Sequence, residues 1–287
     1  MLTLPAPAKL NLMLHIVGQR PDGYHNLQTL FQILDFGDTL SLENQPGLDI
    51  TLNCSTTELT TPDNLVIKAA RALQASSNTD QGARLYLDKR LPLGGGVGGG
   101  SSDCATALLG LNRLWSLNFS LNQLTQIGRS LGADVPLFVR GQSAWAEGIG
   151  DRLTPVNLPE HWFVVVHPGI HVSTAELFRH PQLTRHTPVS TIRSALGGAG
   201  RNDFEHVARA LYPEIDHAFG QLAQFRTAHS GPVRLSGSGA CIFLKTESDM
   251  TAQHILNRIQ QQNPNYSGFI ARGLNQSPLQ RTLDEHA

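Results

Sequence analysis

The sequence predicts an α+β chain of two domains, and three observations carry that reading. At 287 residues, 40% of them hydrophobic, the chain exceeds one ordinary core and has apolar material for two. In the first half a strand, a glycine-rich loop and a capped helix follow one another directly. In the second half the order β-α-β-β-α-β is that of a ferredoxin-like split unit. The division is placed at 155/156, giving domains 1–155 and 156–287, with the linker near Thr154 to Glu160.

The elements follow in order. Leu10, Leu12, Leu14 and Ile16 alternate with Lys9, Asn11, Met13 and His15, which predicts a strand with one buried face and puts Lys9 and Asn11 together on the other. Gly18 to Gly23 reads as a turn. Tyr24 to Phe36 and Thr39 to Leu42 read as two strands joined at Gly37-Asp38. Thr61-Pro62-Asp63 opens a helix carried by Leu65, Ala69, Ala72 and Leu73. Arg84 to Leu91 alternates again and enters Gly94 to Gly100, where six of seven residues are glycine. Ser101-Ser102-Asp103 is expected to cap the helix through Ala105, Leu108, Leu109, Leu111 and Trp115. A second helix starts at Ser120 and stops at Gly132, leaving Asp134 in a connection and Pro136 as a block to further helix.

Beyond Thr154-Pro155 the pattern predicts a strand at Trp162 to His167, helix at Thr174 to Phe178 and Asp203 to Phe225, and strands at Val233 to Leu235 and Ala240 to Leu244. A helix at Asp249 to Gln262 and a strand at Ser267 to Gly273 complete the unit. Gln182 to Gly200, rich in Thr, Pro, Gly and Ser, reads as a long surface loop.

Several function classes are excluded by composition. With 22 Lys+Arg against 23 Asp+Glu there is no electrostatic case for a nucleic-acid or membrane-surface partner. No apolar run approaches a membrane span, and the N-terminus lacks a signal-peptide layout, so a cytoplasmic protein is expected. Cys54, Cys104 and Cys241 are too few and too scattered for a disulfide framework or a CxxC metal motif, and reduced structural thiols are expected. No metal-ligating cluster is identified.

The glycine loop carries the chemistry. Successive glycines free backbone N–H groups to converge on an anion, and the helix that follows adds its positive end and the Ser101 and Ser102 hydroxyls. A Walker A loop would end in Gly-Lys-Ser/Thr, but no lysine lies between Lys89 and Lys245. Gly94, Gly96 and Gly99 formally meet GxGxxG, yet no acidic residue lies between Asp103 and Asp134 to hold a ribose, which disfavours a dinucleotide oxidoreductase. Asp134, within Gly-Ala-Asp-Val-Pro, reads as a turn former or as a carboxylate presented to a cleft. Lys9 reads as a solvated strand residue or as a buried ammonium in need of a partner. A Lys9–Asp134 pair would answer both, since an ammonium favours an anionic carboxylate able to accept a hydroxyl proton. Ser236-Gly237-Ser238-Gly239 lies between two strands; it is a hairpin turn or a second anion-facing loop, and it does not match a GxSxG nucleophile elbow.

Pro7-Ala8-Lys9-Leu10-Asn11-Leu12, Pro92-Leu93-Gly94 through Ser101-Ser102, and Leu235-Ser236-Gly237-Ser238-Gly239-Ala240 resemble, in this order, the three motifs of the GHMP small-molecule kinase superfamily. Arg20 to His25, Leu131 to Pro136 and His167-Pro168-Gly169 are similar to its branch acting on a cytidine-diphosphate-linked methylerythritol in the non-mevalonate isoprenoid pathway. The resemblance spans Pro5 nearly to Pro278. It implies an N-terminal ATP-binding domain like ribosomal protein S5 domain 2, a C-terminal ferredoxin-like substrate domain, and transfer of the γ-phosphoryl of ATP, with Mg2+, to the substrate's 2-hydroxyl. Asp134 would be the base and Lys9 its partner. Gly94, Gly95, Gly96, Gly98, Gly99, Gly100, Ser101 and Ser102 would hold phosphates, with Asn64 and Lys89 near the nucleotide. Asn11, Tyr24, His25, Phe31, Thr174 and Phe178 would form a cytidine pocket, and Gly237, Ser238 and Gly239 would face the substrate. Without the resemblance, Phe31 and Phe178 read as core. Asp103 departs from the asparagine or small residue of many relatives. A monomer or weak homodimer is expected; another kinase of this superfamily, acting on mevalonate, homoserine or galactose, is the alternative.

Overall fold

The computed structural model describes residues 1–285. Its spine is an antiparallel pair, β1 (Leu2–Gln19) against β2 (His25–Gln45), which at about 3.3 Å per residue reaches through both halves of the molecule. Leu4 packs in the N-terminal core with Leu73, Leu108 and Phe138; Ala8 and Leu10 pack at the junction with Phe163 and Phe243; Leu14 and Ile16 pack in the C-terminal core with Val164 and Leu244. Burial on both faces corrects the expected half-buried strand, because both halves of the fold close over β1.

Gly37-Asp38 is not a turn. β2 runs through it unbroken, and a register shift between Pro7 and Lys9 accommodates the crossing. A Cβ at Gly37 would stand 2.6 Å from the Cα of Pro7, so glycine here permits two backbones to pass.

The N-terminal half adds β3 (Ile50–Cys54), α1 (Leu65–Ser77), β4 (Gly82–Asp88), α2 (Gly99–Leu114), α3 (Leu121–Leu131), α4 (Val135–Arg140), β5 (Ala144–Glu147) and β6 (Arg152–Pro155). Asn64 rather than Thr61 caps α1, its Oδ1 accepting from Val66 N. Gly98, at φ 77°, caps α2, so Ser101 and Ser102 lie inside the first turn instead of preceding it. Ser120 and Gln123 form a capping box at α3. Pro136 does not block a helix; it sits in the first turn of α4, where its missing N–H has no intrahelical acceptor to lose.

The C-terminal half comprises β7 (Trp162–His167), α5 (Thr174–Arg179), α6 (Ile192–Leu196), α7 (Glu205–Leu211), α8 (Pro213–Ala223), β8 (Arg234–Leu235), β9 (Ile242–Thr246), α9 (Asp249–Gln262) and β10 (Ser267–Leu274). Its strand order, β10-β7-β9-β8, all antiparallel, is the ferredoxin-like arrangement expected from the sequence. Two differences have local causes. The helix expected from Asp203 to Phe225 breaks at Tyr212-Pro213, where Pro213 starts a new one. The 182–200 segment is not all loop: Thr191 caps α6, and Gln28 on β2 holds Ser190 N.

Gly273 and Leu274 of β10 pair with Leu34 and Ile33 of β2, joining both halves in one ten-stranded sheet. The final helix, α10 (Pro278–Glu285), returns to the first half and buries Leu279 in the N-terminal core. Among the described residues no helix is long and apolar enough to cross a membrane.

Candidate active site

At the junction a cleft of about 770 Å³ opens between β1, the glycine loop, the segment before α4, and the β8–β9 turn. The loop is pinned from both sides. Val97 O accepts from Lys9 N at 2.9 Å, while Gly94 O and Gly95 O accept from Ala240 N and Cys241 N at 3.3 and 3.0 Å. A Cβ on Gly96, at φ 71°, would stand 2.1 Å from Ser236 O, so only glycine lets the β8–β9 turn approach this closely. Past the loop, the first bond within α2 is Ser102 N to Gly98 O, which leaves the amides of Gly99, Gly100 and Ser101 at the positive helix end without intrahelical acceptors.

Lys9 is 3% exposed and its ammonium is fully employed: Asn11 Oδ1 at 2.6 Å, Gly96 O at 3.0 Å and Asp134 Oδ2 at 3.2 Å. It also lies 5.2 Å from the ring centroid of Phe31. Asn11 is held in turn, Nδ2 donating to Thr29 Oγ1 at 2.8 Å, and Thr29 to Met13 O at 2.6 Å. Asp134 stands ahead of α4 with its side chain 30% exposed, offering the cleft a carboxylate that Lys9 orients from behind. Ser236 Oγ donates to Gly96 O at 2.9 Å and accepts from Asn11 N at 3.2 Å, tying the second glycine turn to the same center.

The cleft wall includes Lys9, Asn11, Phe31, Asn64, Lys89, Gly94, Gly95, Gly96, Gly98, Gly99, Gly100, Ser101, Asp134, Thr174, Phe178, Gly237, Ser238 and Gly239. Three expected residues are not in that wall. Ser102 is fully buried within α2. Tyr24 is 63% exposed on the surface. His25 stands one layer back, its ring stacked on Phe178 at 4.7 Å. Burial, and secondarily Arg185, lowers the His25 pKa, so its ring is neutral at pH 7. Asn64 reaches the wall with its carboxamide engaged, Nδ2 donating to Leu59 O at 2.9 Å. Thr174 Oγ1 and Ser238 Oγ share a 2.6 Å hydrogen bond at the cleft edge. Phe31 is both core and wall, since it is 2% exposed and packs with Leu137 and Ala144.

Sequence reasoning missed three contributors. Phe204 lines the cleft and meets Phe178 edge-on at 4.9 Å. Asn202 donates to Leu235 O and Gly237 O at 2.9 and 2.7 Å, fixing the second glycine turn. Asp38 is buried with Oδ1 accepting from Arg90 N at 2.6 Å and Leu91 N at 2.8 Å, while Oδ2 accepts from Lys89. Lys89 also donates to Asp103 Oδ2 at 2.7 Å. Burial alone would lower the Lys89 pKa, but Asp103 and Asp38 outweigh it and hold the ammonium above the ordinary lysine value.

Two family models match, the GHMP kinases N terminal domain over residues 64–142 and the GHMP kinases C terminal over 182–265. A protein of Chromohalobacter salexigens named 4-diphosphocytidyl-2-C-methyl-D-erythritol kinase is 52% identical, the match covering 99% of this chain and 95% of that protein. One of the same name from Alcanivorax borkumensis is 50% identical, with 99% and 94% covered. A crystal structure of 4-(cytidine 5'-diphospho)-2C-methyl-D-erythritol kinase superposes with a TM-score of 0.83 at 31% identity, over 95% of this chain and 99% of that one. A mevalonate kinase of Methanococcus jannaschii, at 14% identity and a TM-score of 0.69, shares the fold.

Proposed function

We propose a specific reaction for this chain, which belongs to the GHMP kinases and within them to the 4-diphosphocytidyl-2-C-methyl-D-erythritol kinase family, and which is an ATP-dependent small-molecule kinase. The reaction is transfer of the γ-phosphoryl of ATP to the 2-hydroxyl of 4-diphosphocytidyl-2-C-methyl-D-erythritol, in the cytoplasm, as a step of isoprenoid synthesis. The observation that carries it is the Lys9–Asp134 pair at 3.2 Å, set at the mouth of the glycine loop.

In this reading the amides of Gly99, Gly100 and Ser101, with the loop before them, receive the ATP phosphates. The acceptor hydroxyl sits against Asp134. Its oxygen forms the new bond to the γ-phosphorus, the bond from that phosphorus to the β,γ-bridging oxygen breaks, ADP leaves, and the hydroxyl proton passes to Asp134. Lys9 keeps Asp134 oriented, and through Gly96 O it locks the base to the phosphate loop. Most of the catalysis is then positioning. For the acceptor's base, Phe178 supplies a ring face, with His25 and Phe204 behind it.

Among the described residues no group of three or more His, Cys, Asp or Glu side chains could hold a metal ion. The magnesium proposed is that of MgATP, carried by the phosphates, where it would neutralise charge between the β- and γ-groups.

The test is ADP release in a coupled assay with MgATP and four acceptors: 4-diphosphocytidyl-2-C-methyl-D-erythritol, mevalonate, homoserine and galactose. Turnover with the cytidine compound alone is expected. Turnover of another acceptor in its place would overturn the assignment.

A further inference from the structure

Three ionisable side chains are buried together beside the phosphate loop, and their charges do not balance. Lys89, Asp38 and Asp103 have side chains 4%, 0% and 5% exposed, and one ammonium answers two carboxylates. Asp38 is saturated, since two amides and Lys89 occupy its oxygens. Asp103 is not. Its Oδ2 accepts from Lys89, whereas Oδ1 is buried with no hydrogen-bond partner among the described residues.

A buried carboxylate oxygen without a donor is expensive, and an unbalanced charge beside it more so. The cluster is also close to where phosphate would bind. A Cβ on Gly99 would lie 3.2 Å from Lys89 Nζ and 3.5 Å from Asp38 Oδ2, and Asp103 itself lines the cleft. An excess negative charge there would oppose the positive end of α2.

We propose that Asp103 makes nucleotide binding proton-linked: the cluster holds a proton at Asp103 more tightly, and so draws protons from solvent, when a nucleoside di- or triphosphate occupies the glycine loop. The inference rests on the nucleotide site proposed above. Burial pushes the Asp103 carboxyl up to about 7; Lys89 opposes this, and the charge and hydrogen bonding of Asp38 add to it. Of the other charges on elements packed against α2, Arg71 on α1 is exposed to solvent, Glu43 on β2 pairs with Arg84, Asp35 on β2 accepts from Arg272 N, and the rest are engaged as follows. Lys9 on β1 pairs with Asp134, Lys68 on α1 with Asp63, and Arg129 on α3 with Asp151, while Arg140 on α4 donates to Asn122. Burial also keeps the neighbouring Cys104 thiol neutral, pushed up to about 12.

The experiment is calorimetric titration of MgADP into the wild-type chain and Asp103→Asn, at pH 6.0 and pH 8.5, in buffers of different ionisation enthalpy. Comparing the two proteins cancels the ligand's own titration. The ratio of wild-type to variant Kd is expected near one at pH 6.0 and about three- to tenfold at pH 8.5, tenfold corresponding to one unit of pKa change on binding. Near pH 7.5 the wild type should take up more protons on binding than the variant. Equal proton uptake, or a Kd ratio that does not move with pH, would overturn the proposal while leaving the site intact. No MgADP binding by either protein would instead overturn the nucleotide site and this inference with it. Asp103→Ser, measured alongside, serves if Asp103→Asn fails to fold.

Discussion

Gly96→Ala is the substitution that loads the junction most directly. The new methyl would stand 2.1 Å from Ser236 O, so the loop and the β8–β9 turn must separate by about 1 Å, and the alanine must also hold φ at 71°. Left-handed backbone costs a non-glycine residue about 1 kcal/mol. Moving Gly96 O away also weakens the bonds from Lys9 Nζ at 3.0 Å and Ser236 Oγ at 2.9 Å, the first charge-assisted and worth about 2 kcal/mol, the second about 1 kcal/mol. The total is about 4 kcal/mol, which for a chain of this size lowers Tm by about 8 °C. Because Lys9 orients Asp134 from the same oxygen, kcat should fall with stability. Differential scanning fluorimetry and the coupled ADP assay read both effects. A Tm within about 1 °C of wild type together with unchanged kcat would refute the claim that the two glycine turns are locked through Gly96.

Other substitutions separate the parts of the site. Phe178→Ala removes the ring that meets His25 and Phe204, and it should raise KM for the cytidine acceptor about tenfold or more with KM for MgATP unchanged, as read from initial rates. Lys9→Met leaves Asn11 Oδ1 and the Asp134 carboxylate without their ammonium; kcat should drop by about 10² or more, and denaturant unfolding should show a loss of about 2 kcal/mol, below the fully buried range because Asp134 is part exposed. Asp103 titrates higher folded than unfolded, so the stability it contributes is present at low pH and is lost as pH rises through about 7. The Tm difference between Asp103→Asn and wild type should therefore grow in the variant's favour from pH 5 to pH 8.

Local signals make much of the fold legible. The apolar run Trp162 to Val166 gives β7, the apolar spacing behind Ser120 gives α3, and the helix read at Asp249 to Gln262 is α9. Some misreadings have their deciding partner distant in sequence, whereas Pro136 and the cap at Asn64 are decided within a turn of the chain. Gly37-Asp38 has turn composition, but Pro7 needs the glycine and the amides of Arg90 and Leu91 need the carboxylate. Pro136 reads as a breaker, yet the chain starts α4 around it. The α10 helix has its apolar partner at the other end of the chain, in the core around Leu4.

Of the candidate site, Lys9, Asp134 and both glycine turns do converge, because β1 carries one residue and the segment before α4 presents the other. Asp38 and Asn202 could not be found from pattern, since each acts by accepting from or donating to backbone far away. Asp103 is visible as an anion beside a phosphate loop, but its partner Lys89 reads in sequence as a nucleotide contact, and only the geometry shows that ammonium already shared between two carboxylates.

The role of Asp134 as base is tested most directly by comparing Asp134→Asn with wild type in two assays on the same preparation: steady-state phosphoryl transfer with the cytidine acceptor, and MgADP affinity by calorimetry. Asparagine keeps the shape of the side chain and removes its capacity to take a proton. A fall in kcat of about 10³ is expected, within the range for loss of a positioned base, with Kd for MgADP within about twofold of wild type. Turnover within tenfold of wild type at unchanged affinity would contradict it, and the Lys9–Asp134 pair would then be a structural tie between the phosphate loop and α4.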